Sequence, residues 1–224
     1  MIQRNIITTT DGSHTIEVPS MQVTYHSVHG AIQESLHVFI HTGLHHWNNL
    51  HQQQPCCILE MGFGTGLNAL LTYATVTSQQ DIYYETIEAF PLDVAVALQL
   101  NYPALLQQPG LQTVFEQLHT CTWNEPVTIN DHFTFRKNNI GLEDYSVNGL
   151  YHIVYYDAFA PRSQPELWTV DVFRKLFNLL HAEGILVTYC SKGDVQRALR
   201  AAGFTVVKLP GPPGKREMLR AIKD

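Results

Sequence analysis

The chain has 224 residues, of which 45% are hydrophobic and 15% are charged, so it can build one sizeable core but is too short for two large domains. Its apolar stretches are interrupted well short of the ~20 residues of a membrane helix, and the first residues lack the apolar region of a signal peptide. We therefore expect a cytoplasmic protein with no membrane partner. Its net charge of -6 argues against a broadly basic nucleic-acid-binding protein.

The charge is unevenly distributed along the chain. Residues 190–224 contain eight basic and three acidic side chains, a local balance of +5 within an acidic protein. Such an asymmetry indicates a surface that faces a polyanion, although a solvated helix face gives the same count.

Two residue types bear on metal and redox chemistry. The four cysteines show no C-x-x-C spacing, and we expect them to be reduced structural thiols. His37, His41 and His45 follow one another at helical spacing, but no carboxylate or cysteine joins them in a known ligand pattern. We therefore expect no metal site.

The N-terminal region is predicted to form a cap. Asp11-Gly12 is a turn dipeptide between residues 5–9 and 14–18, which predicts a β-hairpin. From Gly30 to Trp47 apolar residues recur every three to four positions, which predicts one or two amphipathic helices. We expect residues 1–54 to form this hairpin and helical cap, and residues 55–224 to form the main domain.

After Pro55 short apolar runs alternate with helical stretches. This pattern is typical of a mainly parallel, doubly wound α/β sheet covered on both faces. Residues 205–209 and 218–222 flank the Gly211-Pro212-Pro213-Gly214 turn and predict a C-terminal antiparallel hairpin. The predicted strands are 57–61, 82–89, 133–136, 151–156 and 184–189, and the predicted helices are 67–76, 92–100, 170–180 and 195–202.

A glycine-rich loop follows the first of these strands. Its spacing is G-x-G-x-G, and Glu60 stands before it, where a carboxylate would repel a pyrophosphate but can engage the ammonium end of S-adenosylmethionine. The loop therefore favours S-adenosylmethionine over NAD and predicts a class I, Rossmann-like methyltransferase. The predicted cofactor-binding residues of this segment are Glu60, Gly62, Phe63, Gly64, Thr65, Gly66 and Asn68.

Two further positions are predicted to complete the cofactor site. Glu88 ends the next strand, about twenty residues after the glycines, where a carboxylate binds both ribose hydroxyls, although a solvated strand end is the alternative interpretation. Asn139 lies beyond strand 133–136, where we expect the adenine pocket.

The segment after strand 151–156 is predicted to face the methyl group. Asp157 is placed to bind or deprotonate a nucleophile, since an aliphatic amine must lose a proton before it attacks a sulfonium. Phe159 and Trp168 wall the predicted pocket or stack on a base, or they are core aromatic residues. Glu34 and Tyr189 are alternative general bases.

Several motifs together resemble the methyltransferase domain of the tRNA modification enzyme MnmC, in its stand-alone, MnmD-like form. They lie at residues 33–40, 60–68, 87–92, 157–161, 165–169 and 214–219. The resemblance implies methylation of the 5-aminomethyl group on the wobble uridine of tRNA, with S-adenosylmethionine as donor. It also implies that Asp157, Phe159, Pro161 and Trp168 form the reaction centre and that Glu34, Lys215 and Arg216 bind substrate.

The resemblance also defines the expected partners. We expect the tRNA anticodon loop as substrate, no FAD because no oxidoreductase domain follows, and possible cooperation with the enzymes that install the aminomethyl group. The alternatives are a small-molecule amine methyltransferase of the same fold and a regulatory module that binds the cofactor without turnover.

Overall fold

The computed structural model describes residues 3–76, 80–146 and 150–224. Near the N-terminus, three short strands form a small antiparallel sheet: β1 (Asn5–Thr8), β2 (His14–Val18) and β3 (Val23–Thr24). The turn between β1 and β2 is closed by hydrogen bonds from the Gly12 amide to the Thr9 carbonyl and from the Thr9 amide to the Ser13 carbonyl. The hairpin predicted around Asp11-Gly12 is therefore confirmed.

The apolar runs after Pro55 form the strands of an eight-stranded sheet. Its strands are β4 (Cys56–Met61), β5 (Ile82–Ile87), β6 (Pro126–Asn130), β7 (Phe133–Asn138), β8 (Tyr151–Tyr156), β9 (Leu180–Thr188), β10 (Thr205–Pro210) and β11 (Glu217–Ile222). Their spatial order is β10-β11-β9-β8-β4-β5-β7-β6.

The centre of the sheet is parallel, as predicted. Met61 at the end of β4 lies opposite Ile87 of β5 and Tyr156 of β8, so these three strands end at one level. β10 and β11 pair antiparallel at one edge, which confirms the predicted C-terminal hairpin. At the other edge β6 pairs antiparallel with β7, a strand that the sequence did not predict because its apolar positions are few and half-exposed.

Helices cover both faces of the sheet. They are α1 (Ala31–Ser35), α2 (His45–His51), α3 (Leu67–Thr75), α4 (Val94–Ala97), α5 (Tyr102–Leu106), α6 (Leu111–Thr120), α7 (Val170–Leu179) and α8 (Gly193–Ala201). A π-helical segment, Leu36–Leu44, joins α1 to α2, so the predicted cap helices form one continuous helical run. α1, α2, α3 and α6 pack on one face of the sheet, and α7 and α8 on the other.

The helix predicted at residues 92–100 is wrong in length, because only one turn, Val94–Ala97, is helical. A tertiary contact explains why the helix ends early. The Asn101 side chain accepts a hydrogen bond from the His14 amide (2.8 Å) and donates one to the Gly12 carbonyl (2.9 Å). The chain turns at Asn101 to hold the N-terminal hairpin, and α5 and α6, which were not predicted, follow.

A buried lysine ties α6 to the sheet. The Lys137 side chain is fully buried on β7, and its ammonium donates hydrogen bonds to the carbonyl groups of Leu118 and His119 at the end of α6. It also lies 4.6 Å from the centre of the Trp123 ring. Burial lowers the pKa of this ammonium. Because the last carbonyl groups of a helix have no partner within the helix, Lys137 supplies the donors that end α6.

We expect Lys137→Met to lower the free energy of unfolding by about 1–3 kcal/mol, because two buried carbonyl groups lose a charged donor. Urea unfolding followed by circular dichroism measures this change. Lys208→Met is the matched control, since Lys208 is exposed and its replacement should change stability by less than about 0.5 kcal/mol. Equal stability of the two variants would show that Lys137 does not hold α6.

Candidate functional site

A cavity of about 750 Å³ opens at the carboxyl ends of β4, β5 and β8. This is the edge at which parallel α/β sheets bind ligands. Its volume is within the range of sites for small molecules, about 300–1,000 Å³. Of the predicted site residues, those that line the cavity are Gly62, Phe63, Gly64, Thr65, Asn68, Glu88, Asp157 and Phe159.

The glycine loop connects β4 to α3 along the floor of this cavity. Gly62 has φ +91°, and a side chain there would place its Cβ 3.3 Å from the carbonyl oxygen of Asp157. The loop therefore passes directly against the segment after β8, an approach that glycine permits. From α6, buried His119 contacts the Thr65 carbonyl through Nε2 at 3.1 Å. Burial lowers the pKa of His119 to about 4, so its neutral ring donates this hydrogen bond.

Glu88 joins the glycine loop to the segment after β5. Its Oε2 accepts a hydrogen bond from the Gly64 amide at 2.9 Å, and its Oε1 accepts one from the Phe90 amide at 2.8 Å. The side chain is half-buried and lines the cavity. Each carboxylate oxygen accepts more than one hydrogen bond, so Glu88 can hold these amides and still receive hydroxyl donors from a ligand.

Glu60 lies beneath the loop rather than in the cavity. Its side chain is fully buried on the face of the sheet covered by α3, and neither oxygen has a hydrogen-bond partner among the described residues. Burial, together with the charge of Asp157, raises its pKa well above the ordinary value. The direct contact of Glu60 with a ligand ammonium stays a prediction; in this structure its side chain is not part of the cavity lining.

Asp157 lies at the end of β8 and lines the cavity. Its Oδ2 accepts a hydrogen bond of 2.9 Å from the Asn68 side-chain amide in the first turn of α3. Burial and the nearby carboxylate of Glu34 raise its pKa to about 7, against the opposing effects of the Asn68 hydrogen bond and the Lys215 charge. The carboxyl group therefore changes its protonation state near neutral pH.

The segment after Asp157 forms an aromatic wall. The Phe159 ring contacts the Tyr25 ring edge to face, with ring centres 5.2 Å apart. Trp168 does not line the cavity: it is buried, and its indole nitrogen donates a hydrogen bond to the Phe159 carbonyl at 2.8 Å. Pro161 also lies outside the cavity lining. Trp168 thus supports the wall as a core residue, the alternative that the sequence left open.

On the side where the adenine pocket was expected, the lining differs from the prediction. Asn139 is exposed and does not line the cavity, and its amide donates a hydrogen bond to the Asn124 side chain at 3.1 Å. The lining residues are instead Gly141, Leu142 and Glu143. A role of Asn139 beside the adenine stays a prediction, and the cavity lining on this side begins at Gly141.

Residues of the N-terminal segment complete the cavity, and sequence reasoning did not find them. Arg4 and Tyr25 line it, and the Arg4 guanidinium donates hydrogen bonds to the carbonyl groups of Phe90 (3.1 Å) and Pro91 (3.2 Å). Phe90 belongs to the motif at residues 87–92 but was given no role; its side chain is 67% exposed at the cavity. No local pattern marks these contacts, because they join segments about 86 residues apart.

The three predicted substrate-binding residues lie in two environments. Glu34 and Lys215 form an ion pair with each other, outside the cavity lining, and Glu34 is only 7% exposed. Arg216, the next residue along the turn, is exposed, and its side chain has no hydrogen-bond or ion-pair partner among the described residues. The contact of Lys215 with the tRNA backbone stays a prediction; in this structure its ammonium is bound by the Glu34 carboxylate.

Two further observations concern the described residues as a whole. Within residues 3–76, 80–146 and 150–224, no three histidine, cysteine or acidic side chains gather closely enough to hold a metal ion. In the same ranges no helix combines the length and the apolar content needed to span a membrane.

Two relatives from bacteria share sequence over most of this chain. One from Magnetococcus marinus, described as the tRNA 5-methylaminomethyl-2-thiouridine biosynthesis bifunctional protein MnmC, is 33% identical over 216 residues, covering 90% of this chain and 31% of that protein. A protein of the same description from an Azoarcus species is 30% identical over 218 residues, covering 88% of this chain and 32% of that protein. The chain thus spans about a third of the length of these relatives.

Solved structures share the fold. The crystal structure of MNMC2 from Aquifex aeolicus superposes with a TM-score of 0.80 at 22% identity, covering all of this chain and 71% of that one. The magnesium protoporphyrin IX methyltransferase of Synechocystis, solved with bound S-adenosylmethionine, gives a TM-score of 0.51 at 14% identity, covering 83% of this chain and 78% of that one.

The family comparison covers the half of the chain that contains β8, Asp157 and the C-terminal hairpin. Residues 112–224 match the family described as S-adenosyl-L-methionine-dependent methyltransferase. Together with the glycine loop and the cavity at the carboxyl edge of the sheet, this match identifies the chain as a member of the S-adenosyl-L-methionine-dependent methyltransferase family.

Proposed function

We propose that this chain methylates the 5-aminomethyl nitrogen on the wobble uridine of tRNA, giving 5-methylaminomethyl-uridine or its 2-thio form. The observation that carries the proposal is Asp157, whose carboxyl group lines the cavity beside the glycine loop and titrates near neutral pH. The description of the relatives from Magnetococcus marinus and Azoarcus, which includes 5-methylaminomethyl-2-thiouridine, supports this choice of substrate.

Three features of the cavity fit S-adenosylmethionine. The glycine loop leaves room for close approach of a ligand, Glu88 offers carboxylate oxygens to ribose hydroxyls, and Gly141 with Leu142 lines the side that we assign to adenine. When bound there, S-adenosylmethionine supplies an electrophilic methyl group on a sulfonium sulfur. We assign the binding of its methionine end to the backbone of the loop, with buried Glu60 as support from below.

The residues of this chain have two tasks toward the amine. The substrate nitrogen is protonated at neutral pH, and it must lose a proton before it forms a bond to carbon. Asp157 is placed to bind the ammonium as a carboxylate and to accept the proton that the nitrogen loses. Asn68 fixes the orientation of that carboxyl group, and Phe159 with Tyr25 excludes water from one side.

We also propose where the polyanion binds. Among the described residues, most cations of the C-terminal region are engaged: Lys208 pairs with Glu217, Arg197 with Asp194, and Lys223 binds two carbonyl groups. Of the exposed cations without such partners in the described residues, Arg200 lies on α8 and the other three follow strands: Arg162 after β8, Lys192 after β9 and Arg216 after β10. Because these three strands run in one direction, the three cations emerge at the edge that carries the cavity.

Residues 1–54 are proposed to act as a cap on the main domain, since Arg4 and Tyr25 contribute to the cavity wall. We further propose that the protein acts in the cytoplasm, which the free state of all four cysteines supports, and receives its tRNA from the enzymes that install the aminomethyl group.

The first prediction on activity concerns Asp157. We expect Asp157→Asn to lower methyl transfer from labelled S-adenosylmethionine to tRNA carrying 5-aminomethyl-uridine by about 10²–10⁴-fold, because the proton acceptor is lost. Binding of the methyl donor, measured by calorimetry, should stay within about threefold. Asp194→Asn is the control, since Asp194 is an exposed carboxylate outside the cavity. Donor binding without transfer to any tRNA by the wild type would instead favour a small-molecule amine as substrate.

The second prediction concerns Glu88. We expect Glu88→Gln to raise the dissociation constant of S-adenosylmethionine about tenfold, because charged hydrogen bonds to the ribose are replaced by neutral ones. Transfer at saturating donor should change little. Glu116→Gln, a change at an exposed carboxylate of α6, serves as the comparison. If both variants bind the donor as the wild type does, Glu88 is not a ligand of the ribose.

The third prediction concerns the exposed cations. We expect Lys192→Glu with Arg216→Glu to raise the KM for tRNA at least about tenfold and to reduce the dependence of binding on salt, since each lost phosphate contact lowers the slope by about one. Donor binding should be unchanged. Lys208→Glu is the matched control for charge reversal, because Lys208 lies in the same hairpin as Arg216 and is paired with Glu217. An unaltered KM and salt slope in the double variant would exclude this edge as the tRNA contact.

A further inference from the structure

Two segments far apart in the chain, helix α1 and the turn between β10 and β11, are joined by an ion pair. Lys215 lies in the turn between β10 and β11, and its ammonium donates a hydrogen bond to Oε1 of Glu34 on α1. The other oxygen of Glu34, Oε2, accepts a hydrogen bond from the Ser27 amide at 2.7 Å. Glu34 is only 7% exposed and uses both carboxylate oxygens, whereas the Lys215 side chain is 31% exposed.

Further contacts fix the turn against the N-terminal segment. The His37 ring nitrogen Nε2 hydrogen bonds to the Pro210 carbonyl at 2.8 Å. A side chain at Gly214 would place its Cβ 2.1 Å from the His29 ring, so the turn is packed against that ring without space between them. Lys215 is therefore held in place by its backbone as well as by its ion pair.

A chain of contacts leads from Lys215 to the reaction centre. The ammonium lies 3.9 Å from the centre of the Tyr189 ring, a cation-π contact. The Tyr189 hydroxyl donates a hydrogen bond to the Ala158 carbonyl at 2.8 Å. Ala158 directly follows Asp157, so the position of the Asp157 backbone depends on Tyr189, and Tyr189 is held under Lys215.

We propose that Lys215 and Glu34 are positioning residues for Asp157: the ion pair holds Tyr189 against the Asp157–Ala158 segment and sets the balance of charge around the Asp157 carboxyl group. This inference rests on the proposed function, in which Asp157 binds the amine. It gives Lys215 and Glu34 a role that differs from the tRNA contact and the general base predicted from the sequence, because their charged groups bind each other.

The charges that face Asp157 come from several elements. The Glu34 carboxylate raises the pKa of Asp157, and the Lys215 ammonium lowers it. Burial and the charge of Asp157 raise the pKa of Glu60 on β4 and of the Tyr189 hydroxyl, and burial and the charge of Glu60 raise the pKa of the Tyr84 hydroxyl. Buried His26, which lines the same cavity, has its pKa lowered to about 4 and is neutral near pH 7. Beside burial, the charges of Glu34 and Lys215 therefore act on the pKa of Asp157 in opposite directions.

The test follows the carboxyl group of Asp157 directly. Carbon-13 NMR of aspartate-labelled protein, with Asp157→Asn to assign the signal, gives its titration without any substrate. We expect Lys215→Met to move the midpoint upward by about one pH unit, because a positive charge is removed, and Glu34→Gln to move it downward, because a negative charge is removed. Lys215→Arg should restore the wild-type midpoint, and Lys208→Met, in the same hairpin, should leave it unchanged.

The rate of methyl transfer gives a second measurement. Since the ionised carboxylate of Asp157 is the active form, kcat/KM should rise with pH through about 7 in the wild type. The pH at which kcat/KM rises should shift in the same direction as the NMR midpoint in Lys215→Met and in Glu34→Gln. Binding of the methyl donor should be retained in both variants. Titration of the tRNA amine contributes the same pH dependence to every variant, so it does not affect the comparison between them.

Opposite shifts in the two variants, with rescue by Lys215→Arg, support the inference. An NMR midpoint that is the same in wild type, Lys215→Met and Glu34→Gln overturns it. Should Lys215→Met fail to fold, Lys215→Gln and Glu34→Gln give the same comparison. The absence of tRNA methylation by the wild type would overturn the proposed function, whereas the NMR titration would still decide the role of the ion pair.

Discussion

The hydrogen bond between Asn68 and Asp157 joins the two halves of the site. Asn68 belongs to the first turn of the helix that follows the glycine loop, and Asp157 ends the neighbouring strand β8. The bond forms because β4 and β8 are parallel neighbours whose ends lie at one level, and because Gly62 lets the loop pass against the Asp157 carbonyl. One contact thus places the helix that follows the glycine loop beside Asp157.

The terminal segments build the rest of the site around this contact. Arg4 and Tyr25, which flank the strands of the N-terminal sheet, line the cavity, and Arg4 is held by the carbonyl groups of the segment after β5. Lys215 reaches in from the C-terminal hairpin and pairs with Glu34. Residues far apart in the chain therefore share one electrostatic environment. Desolvation strengthens the electrostatic interactions between the charges in it.

Much of the fold could be predicted from local sequence. Alternating apolar runs and helical stretches predicted the parallel strands, and the Asp11-Gly12 and Gly211–Gly214 turns predicted both hairpins. The glycine spacing predicted the loop at the carboxyl edge, because glycine there serves a local conformational need. The helix at residues 92–100 was wrong because Asn101 bonds to the N-terminal hairpin, a contact that no local pattern contains.

By itself, the sequence determined which strand ends carry glycine and acidic residues, since parallel strands bring their carboxyl ends to one edge whatever the details of packing. Only the tertiary structure decided which of these side chains face the cavity. Glu60 is buried outside the cavity lining, Trp168 packs in the core and Lys215 pairs with Glu34. The sequence predicted Glu60 and Lys215 as ligand contacts and left Trp168 between the pocket wall and the core. The physical reason is that side-chain direction and charge pairing depend on neighbours distant in the chain, whereas the positions of strand ends follow from local periodicity.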